Sequence, residues 1–101
     1  MHRYRLTPDA EDDLLGIAVY TIENWGLKQL DIYEAGLVRC FVAIASGEAR
    51  TQAPIPQRPE LLSTRCQHHV IFWLRQKGSP PLIVAILHET MDLINRLKER
   101  L

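Results

Sequence analysis

Apolar and polar positions divide the chain into two stretches of different period. Between Pro8 and Ser46 apolar residues recur every three or four positions, as on helices, and from Leu61 to Leu87 they come in short blocks, as in strands. In the first stretch Ala10, Leu14, Ile17, Ala18, Thr21 and Trp25 share one helix face. Leu15, Val19 and Ile22 form a second stripe about 100° round the same helix, by the 3.6-residue period. Thr7-Pro8 supplies a cap and a first-turn proline, and Gly26 supplies a stop where left-handed geometry is wanted. A second helix is predicted from about Lys28 to Ser46, ended by Gly47, with Leu30, Tyr33, Leu37, Cys40, Phe41 and Ile44 as its core face. Val38, Val42 and Ala45 flank that face. So short a link makes the two helices an antiparallel hairpin.

Glu48 to Glu60 holds Pro54, Pro56 and Pro59 and reads as an exposed connector, since proline suits neither a helix interior nor a central strand. Leu61 to Cys66 is a strand, turning near Gln67 into a β-branched and aromatic run that ends around Arg75. Gly78-Ser79-Pro80-Pro81 is a turn, and Leu82 to Leu87 is apolar at every position, as expected of a central strand. Arg3 to Leu6 alternates like a short edge strand. Met91, Ile94, Leu97 and Leu101 space out as a short amphipathic helix. The chain therefore reads as one small domain of mixed helices and strands.

Composition changes this picture little. At 101 residues and 47% hydrophobic, the chain can bury roughly 60–70% of its unfolded surface. No apolar run approaches the ~20 residues of a membrane span, Met1 is expected to be a true start without a leader, and a cytoplasmic location is expected. Cys40 and Cys66 are too few for a disulfide framework, so reduced thiols are expected. Twelve basic side chains balance twelve acidic ones, without the cationic excess by which nucleic-acid binders displace counterions.

Candidate chemistry is sparse. The acids Asp9, Glu11, Asp12 and Asp13 suit the first turns of a helix, where the dipole favours negative charge. Consecutive acids point in different directions, so no metal site is expected there. Neighbouring His68 and His69 leave a strand on opposite faces, although one of them can approach His88 across the hairpin. No further ligands complete a zinc site. Metal-free RNA cleavage needs a base, an acid and cations on the phosphate, roles for which His69, His88, Arg65 and Arg75 are the candidates. No lysine or tyrosine cluster accompanies them in the sequence. The alternative is a histidine that satisfies a backbone group beside the sheet.

Two groups of residues carry a resemblance in combination. Tyr4-Arg5-Leu6-Thr7-Pro8, Ala10-Glu11-Asp12-Asp13-Leu14, Ile17, Tyr20 and Trp25-Gly26 stand near the start. His69-Val70-Ile71-Phe72-Trp73 and Ile86-Leu87-His88 with Met91-Asp92 stand near the end. Together these resemble the ParE branch of the RelE/ParE toxin superfamily. The resemblance implies an α+β, two-layer fold, β-α-α-β-β-β with a short C-terminal helix, in which a helical hairpin packs on a small, mostly antiparallel sheet. It implies a toxin of a type II toxin–antitoxin system that inhibits DNA gyrase and is neutralised by a ParD-type antitoxin. No catalytic residues, cofactor, metal or membrane are then expected, and nucleic acid is met only through the antitoxin. The alternative within the superfamily is a ribosome-dependent mRNA endoribonuclease of the RelE type. Against it, His69 stands where that branch is expected to place a sheet arginine, and the tail lacks a tyrosine.

ParE-like sequences often carry acids where this chain has Leu15 and Val19. The second helical stripe either packs on the neighbouring helix or is a surface for another protein. With the resemblance, the antitoxin is expected on Leu15, Val19, Ile22, Val38 and Val42. Gyrase is expected on His88, Met91, Asp92, Arg96 and Arg100, where the basic end suits an acidic partner.

Overall fold

The computed structural model describes residues 3–101; Met1 and His2, read above as the start of the chain, lie outside them. Seven elements follow in the order β1 (Arg5–Leu6), α1 (Pro8–Trp25), α2 (Leu27–Ser46), β2 (Leu61–Cys66), β3 (His69–Leu74), β4 (Leu82–His88) and α3 (Leu93–Lys98). The four strands form one sheet in the order β1-β4-β3-β2. β2, β3 and β4 pair antiparallel, whereas β1 runs parallel to β4. The continuous apolar run Leu82–Leu87 is thus interior, as its sequence requires.

Helix α1 begins where Thr7 Oγ1 accepts the Ala10 amide at 3.1 Å, with Pro8 in the first turn. It ends at Gly26, whose φ of 90° and ψ of 169° are open to glycine alone. This is not the left-handed cap that the sequence suggested. Gly26 extends the chain through a single residue, and α2 starts at the next.

The sheet separates two apolar layers. Leu37, Phe41 and Ile44 of α2 and Ala10 of α1 pack on Leu62, Ile71, Trp73, Ile83 and Ile86. On the other face Leu97 of α3 is wholly buried with Leu61, Val70, Phe72, Val84 and Leu87. The indole N–H of Trp73 donates to Thr64 Oγ1 at 3.1 Å, so this large ring is buried without an orphaned polar group. A β-bulge falls between Phe72 and Trp73, where the pairing steps from Ala85 to Ile83. The extra residue changes which backbone groups of β4 face outward.

Two expectations are corrected. Trp25, the last residue of α1, is 71% exposed and does not belong to the core face of that helix. Cys40 and Cys66 are joined by a disulfide, with 6.2 Å between their Cα atoms, rather than standing as reduced thiols. Their number said nothing of their proximity; α2 crosses β2 so that the two Cα atoms fall within bridging range. Among the described residues no helix is long and apolar enough to cross a membrane.

Candidate functional site

The helical hairpin carries more apolar surface than the sheet can cover. On α1 the buried and half-buried positions Ala10, Leu14, Ile17 and Thr21 define the inner face. At about 100° per residue, Val19 lies roughly opposite that face, and Leu15 and Ile22 lie about 110–130° from it. All three are exposed, Leu15 to 64%. Packing on α2 therefore does not cover them. Val38 and Val42 on α2 are likewise exposed. Tyr20, Leu27 and Ile32 add to this surface and escaped the sequence reading, as did Trp25, which was assigned to the core. Periodicity could have found Ile32, which falls opposite Leu30 and Leu37 on the helical wheel. Apolar exposure on this scale marks an interaction surface.

A second feature lies at the end of the sheet where β2 turns into β3. The turn is Gln67-His68, with Gln67 at a positive φ of 56°. Its side chain donates to the Tyr33 carbonyl at 3.1 Å and lies over Gly36, where a Cβ would meet it at 2.6 Å. Gly36 thus lets the turn sit against α2. His69 and His88 stand directly opposite each other across the strand pair, their rings 5.2 Å apart and edge to face. Tyr33 reaches them from α2: its hydroxyl accepts the His68 amide at 3.3 Å and lies 2.5 Å from His69 Nδ1. With one phenolic proton to give, Tyr33 donates to Nδ1, which leaves the His69 proton on Nε2. His88 Nδ1 accepts the Thr90 amide at 3.2 Å.

Burial pushes His69 down to about 4, helped by positive charge at His88 and His68 and opposed by Asp13 and Glu89. It is therefore neutral at physiological pH. Burial also raises Tyr33, with the charge of Glu89 adding to it against the His68 amide. The tyrosine that the sequence could not associate with the histidines thus comes from a helix 36 residues away. It satisfies His69 where a backbone group was the expected partner.

The cations do not converge on this cluster. Arg65 belongs to the other face of the sheet, alongside Val70 and Phe72, and is paired with Glu89 at 2.5 Å. Arg75 lies past the far end of β3, about 20 Å along the chain at ~3.4 Å per residue, with its guanidinium over Trp73. Among the described residues, neither Arg65 nor Arg75 is placed beside the His69–His88 pair, where a phosphate would need a cation. No group of three or more His, Cys, Asp or Glu side chains suited to a metal gathers among the described residues.

The tail is tied down by charge. Arg100 donates to both carboxylate oxygens of Asp13, at 2.5 and 2.8 Å, and to the Val84 carbonyl at 3.1 Å. Asp13 also accepts the Ile86 amide at 2.8 Å. Asp13 is thus more than helix-dipole chemistry, and Arg100 is spent within the fold rather than offered as free charge. Met91, Asp92 and Arg96 are exposed, and His88 is half-buried. Between α1 and the ends of β3 and β4 lies an open groove of about 590 Å³, lined among others by Asp12, Gly16, Tyr20, Tyr33, His69 and His88.

With this geometry in place, comparison with known proteins gives a consistent answer. The sequence model of a family described as the ParE toxin of type II toxin–antitoxin system, parDE, matches residues 4–93. The Toxin ParE of Escherichia coli is 45% identical over 101 residues, which cover 100% of this chain and 98% of that protein. A solved chromosomal ParDE toxin–antitoxin system from P. aeruginosa superposes with a TM-score of 0.67 at 15% identity, covering 87% of this chain and 96% of that one. At that identity the likeness shows a shared fold.

Proposed function

The chain belongs to the ParE toxin family of type II toxin–antitoxin systems, and from that premise we propose that it arrests bacterial growth by binding DNA gyrase in the cytoplasm, without catalysis, until a ParD-type antitoxin occludes it. The observation that carries this reading is the exposed apolar surface of the hairpin, Leu15, Val19 and Ile22 on α1 with Val38 and Val42 on α2. Such a surface suits capture of a partner helix, whose apolar anchors recur at the same three-to-four-residue spacing. Gyrase is assigned to the end of β4 and the segment after it, at His88, Met91, Asp92 and Arg96, with Arg100 holding the tail in place through Asp13. The separation of Arg65 and Arg75 from His69 supports binding over RNA cleavage.

Purified toxin added in parallel to a gyrase supercoiling reaction and to coupled translation tests the target. Supercoiling stops and translation continues under this reading; codon-positioned mRNA cuts lost in His69→Ala would overturn it. The antitoxin surface is tested by Leu15→Glu with Val19→Glu. Each side chain contributes about 1.5–3 kcal/mol when buried, so antitoxin affinity falls by roughly 100-fold or more while the circular dichroism spectrum is unchanged. Unchanged affinity would remove the hairpin face from the interface.

A further inference from the structure

The neutral total charge conceals a separation. From Pro8 to Ser46 the hairpin carries seven acidic and two basic side chains, which leaves ten basic against five acidic in the rest of the chain. Four of those ten gather at one end of the sheet. Arg5, Leu82, Leu74 and Leu61 stand in one row across β1, β4, β3 and β2. Just outside this row the Arg5 amide donates to the Pro81 carbonyl at 3.0 Å, and the Arg75 amide donates to the Glu60 carbonyl at 2.8 Å. The β3–β4 turn is thus flanked by the start of β1 on one side and the start of β2 on the other. Arg3 and Arg5 come from the first flank, Arg75 and Lys77 from the turn itself. All four are exposed, and none is paired with a carboxylate among the described residues. The Arg75 guanidinium is steadied over the Trp73 ring, 5.8 Å from its centroid. The neighbouring acid, Glu60, is held by Arg58 at 2.8 Å and does not neutralise them.

The shape and composition of this end select its ligand. With ~4.8 Å between strands, Arg5 stands about 10 Å from the strand that leads into Arg75, a span of roughly three phosphates at ~3.4 Å of axial rise along one DNA strand. Between them the turn presents Gly78 and Ser79, both exposed and small, so nothing bulky holds a rod-like ligand away. Apolar anchors are missing here. Among the described residues the exposed large apolar side chains lie on the hairpin, from Leu15 to Val42, or in the tail, at Met91, Ile94 and Leu101. Protein interfaces are centred on buried apolar or aromatic anchors, whereas a phosphate backbone is held by cations that displace its counterions.

We propose that the β3–β4 turn end binds the phosphodiester backbone of duplex DNA, without regard to base sequence. Nucleic acid is then met by the toxin directly and not only through an antitoxin. The contact lies about 20 Å along β4 from His88, at ~3.3 Å per residue, so it does not compete with a protein held there. It holds whether or not gyrase is the target; on gyrase it would let the toxin touch the DNA that the enzyme carries. Four cations alone give weak affinity, within the range of about 10⁻⁴–10⁻⁶ M of non-specific binding.

The test is fluorescence anisotropy of a labelled duplex of about 20 base pairs titrated with the full-length toxin over a series of salt concentrations. Binding is expected at about 50 mM salt, with the logarithm of the association constant falling against the logarithm of salt at a slope of about −3 to −4. Arg5→Gln with Lys77→Gln should weaken binding at least about tenfold and bring the slope to about −2, with the circular dichroism spectrum unchanged. Arg65→Gln with Arg96→Gln, on cations outside this end, should leave affinity and slope as they are. Absence of binding at about 50 mM salt overturns the proposal, as does an equal loss in the Arg65 and Arg96 variant. Displacement by polyglutamate as effective as that by unlabelled duplex at matched charge also overturns it, in favour of an acidic protein. Supercoiling inhibition is measured separately, so failure of the gyrase reading leaves this result legible.

Discussion

Asp13 joins three parts of the fold, and its removal makes a quantitative test of how the C-terminal tail is held. Its carboxylate accepts two bonds from Arg100 and one from the Ile86 amide, while the side chains of Asp13 and Arg100 are only 14% and 22% exposed. Hydrogen bonds to charged groups contribute about 1.5–3 kcal/mol each, and residual solvent contact and the shared carboxylate reduce the sum. Asp13→Ala should therefore destabilise the domain by about 2–4 kcal/mol, or roughly 10–20 °C in Tm for a chain of this size. Asp13→Asn keeps an acceptor for the Ile86 amide and loses the charge, so it should cost about half as much. Arg100→Met leaves the Asp13 charge without its partner and should cost about 1.5–3 kcal/mol. Thermal and urea unfolding of both single variants and the double variant complete a cycle, for which a coupling of at least ~1 kcal/mol is expected. Single-variant costs that simply add, within ~0.3–0.5 kcal/mol, would show that the pair is a surface contact. The tail would then be held by the apolar packing of Leu93 and Leu97.

Other consequences follow from the same geometry. A histidine kept neutral by the fold takes up a proton on unfolding below its ordinary value near 6.5, so stability is unaffected above that pH. Stability then declines as pH falls from about 6.5 to about 4, where folded His69 protonates as well. The full shift corresponds to about 3 kcal/mol, and about 1–2 kcal/mol is expected after solvent screening; urea unfolding across this range should show a gradient that His69→Gln flattens. An equal gradient in that variant would assign the effect to other groups. The Cys40–Cys66 bridge closes a loop of 26 residues, worth about 3–4 kcal/mol in chain entropy. Dithiothreitol should lower the Tm by roughly 10–20 °C, and Cys40→Ala should lose that sensitivity; a Tm indifferent to reductant would show that the link contributes nothing.

The sequence by itself determined the elements and their order. The 3.6-residue stripes of the hairpin, the proline-dense connector and the uninterrupted Leu82–Leu87 run are local patterns, and each has one conformation in which its apolar side is buried. The second stripe on α1 was legible too, but whether it packs on the neighbouring helix or stays exposed was left open until the structure showed it exposed. Where local pattern and tertiary placement part, the sequence was silent or misleading. Trp25 keeps the core period, yet at the end of α1 it stands exposed. Cys40 and Cys66 meet only because α2 crosses β2. Tyr33 reads as one more core residue until the β2–β3 turn brings His69 to its hydroxyl. Asp13 is one acid among four near the start of a helix until β4 presents Ile86 and the tail presents Arg100. Periodicity reports how each segment faces its nearest layer. Which distant group arrives on the other side depends on strand order and on the one-residue shift of a bulge, and these are set only when the layers close on one another.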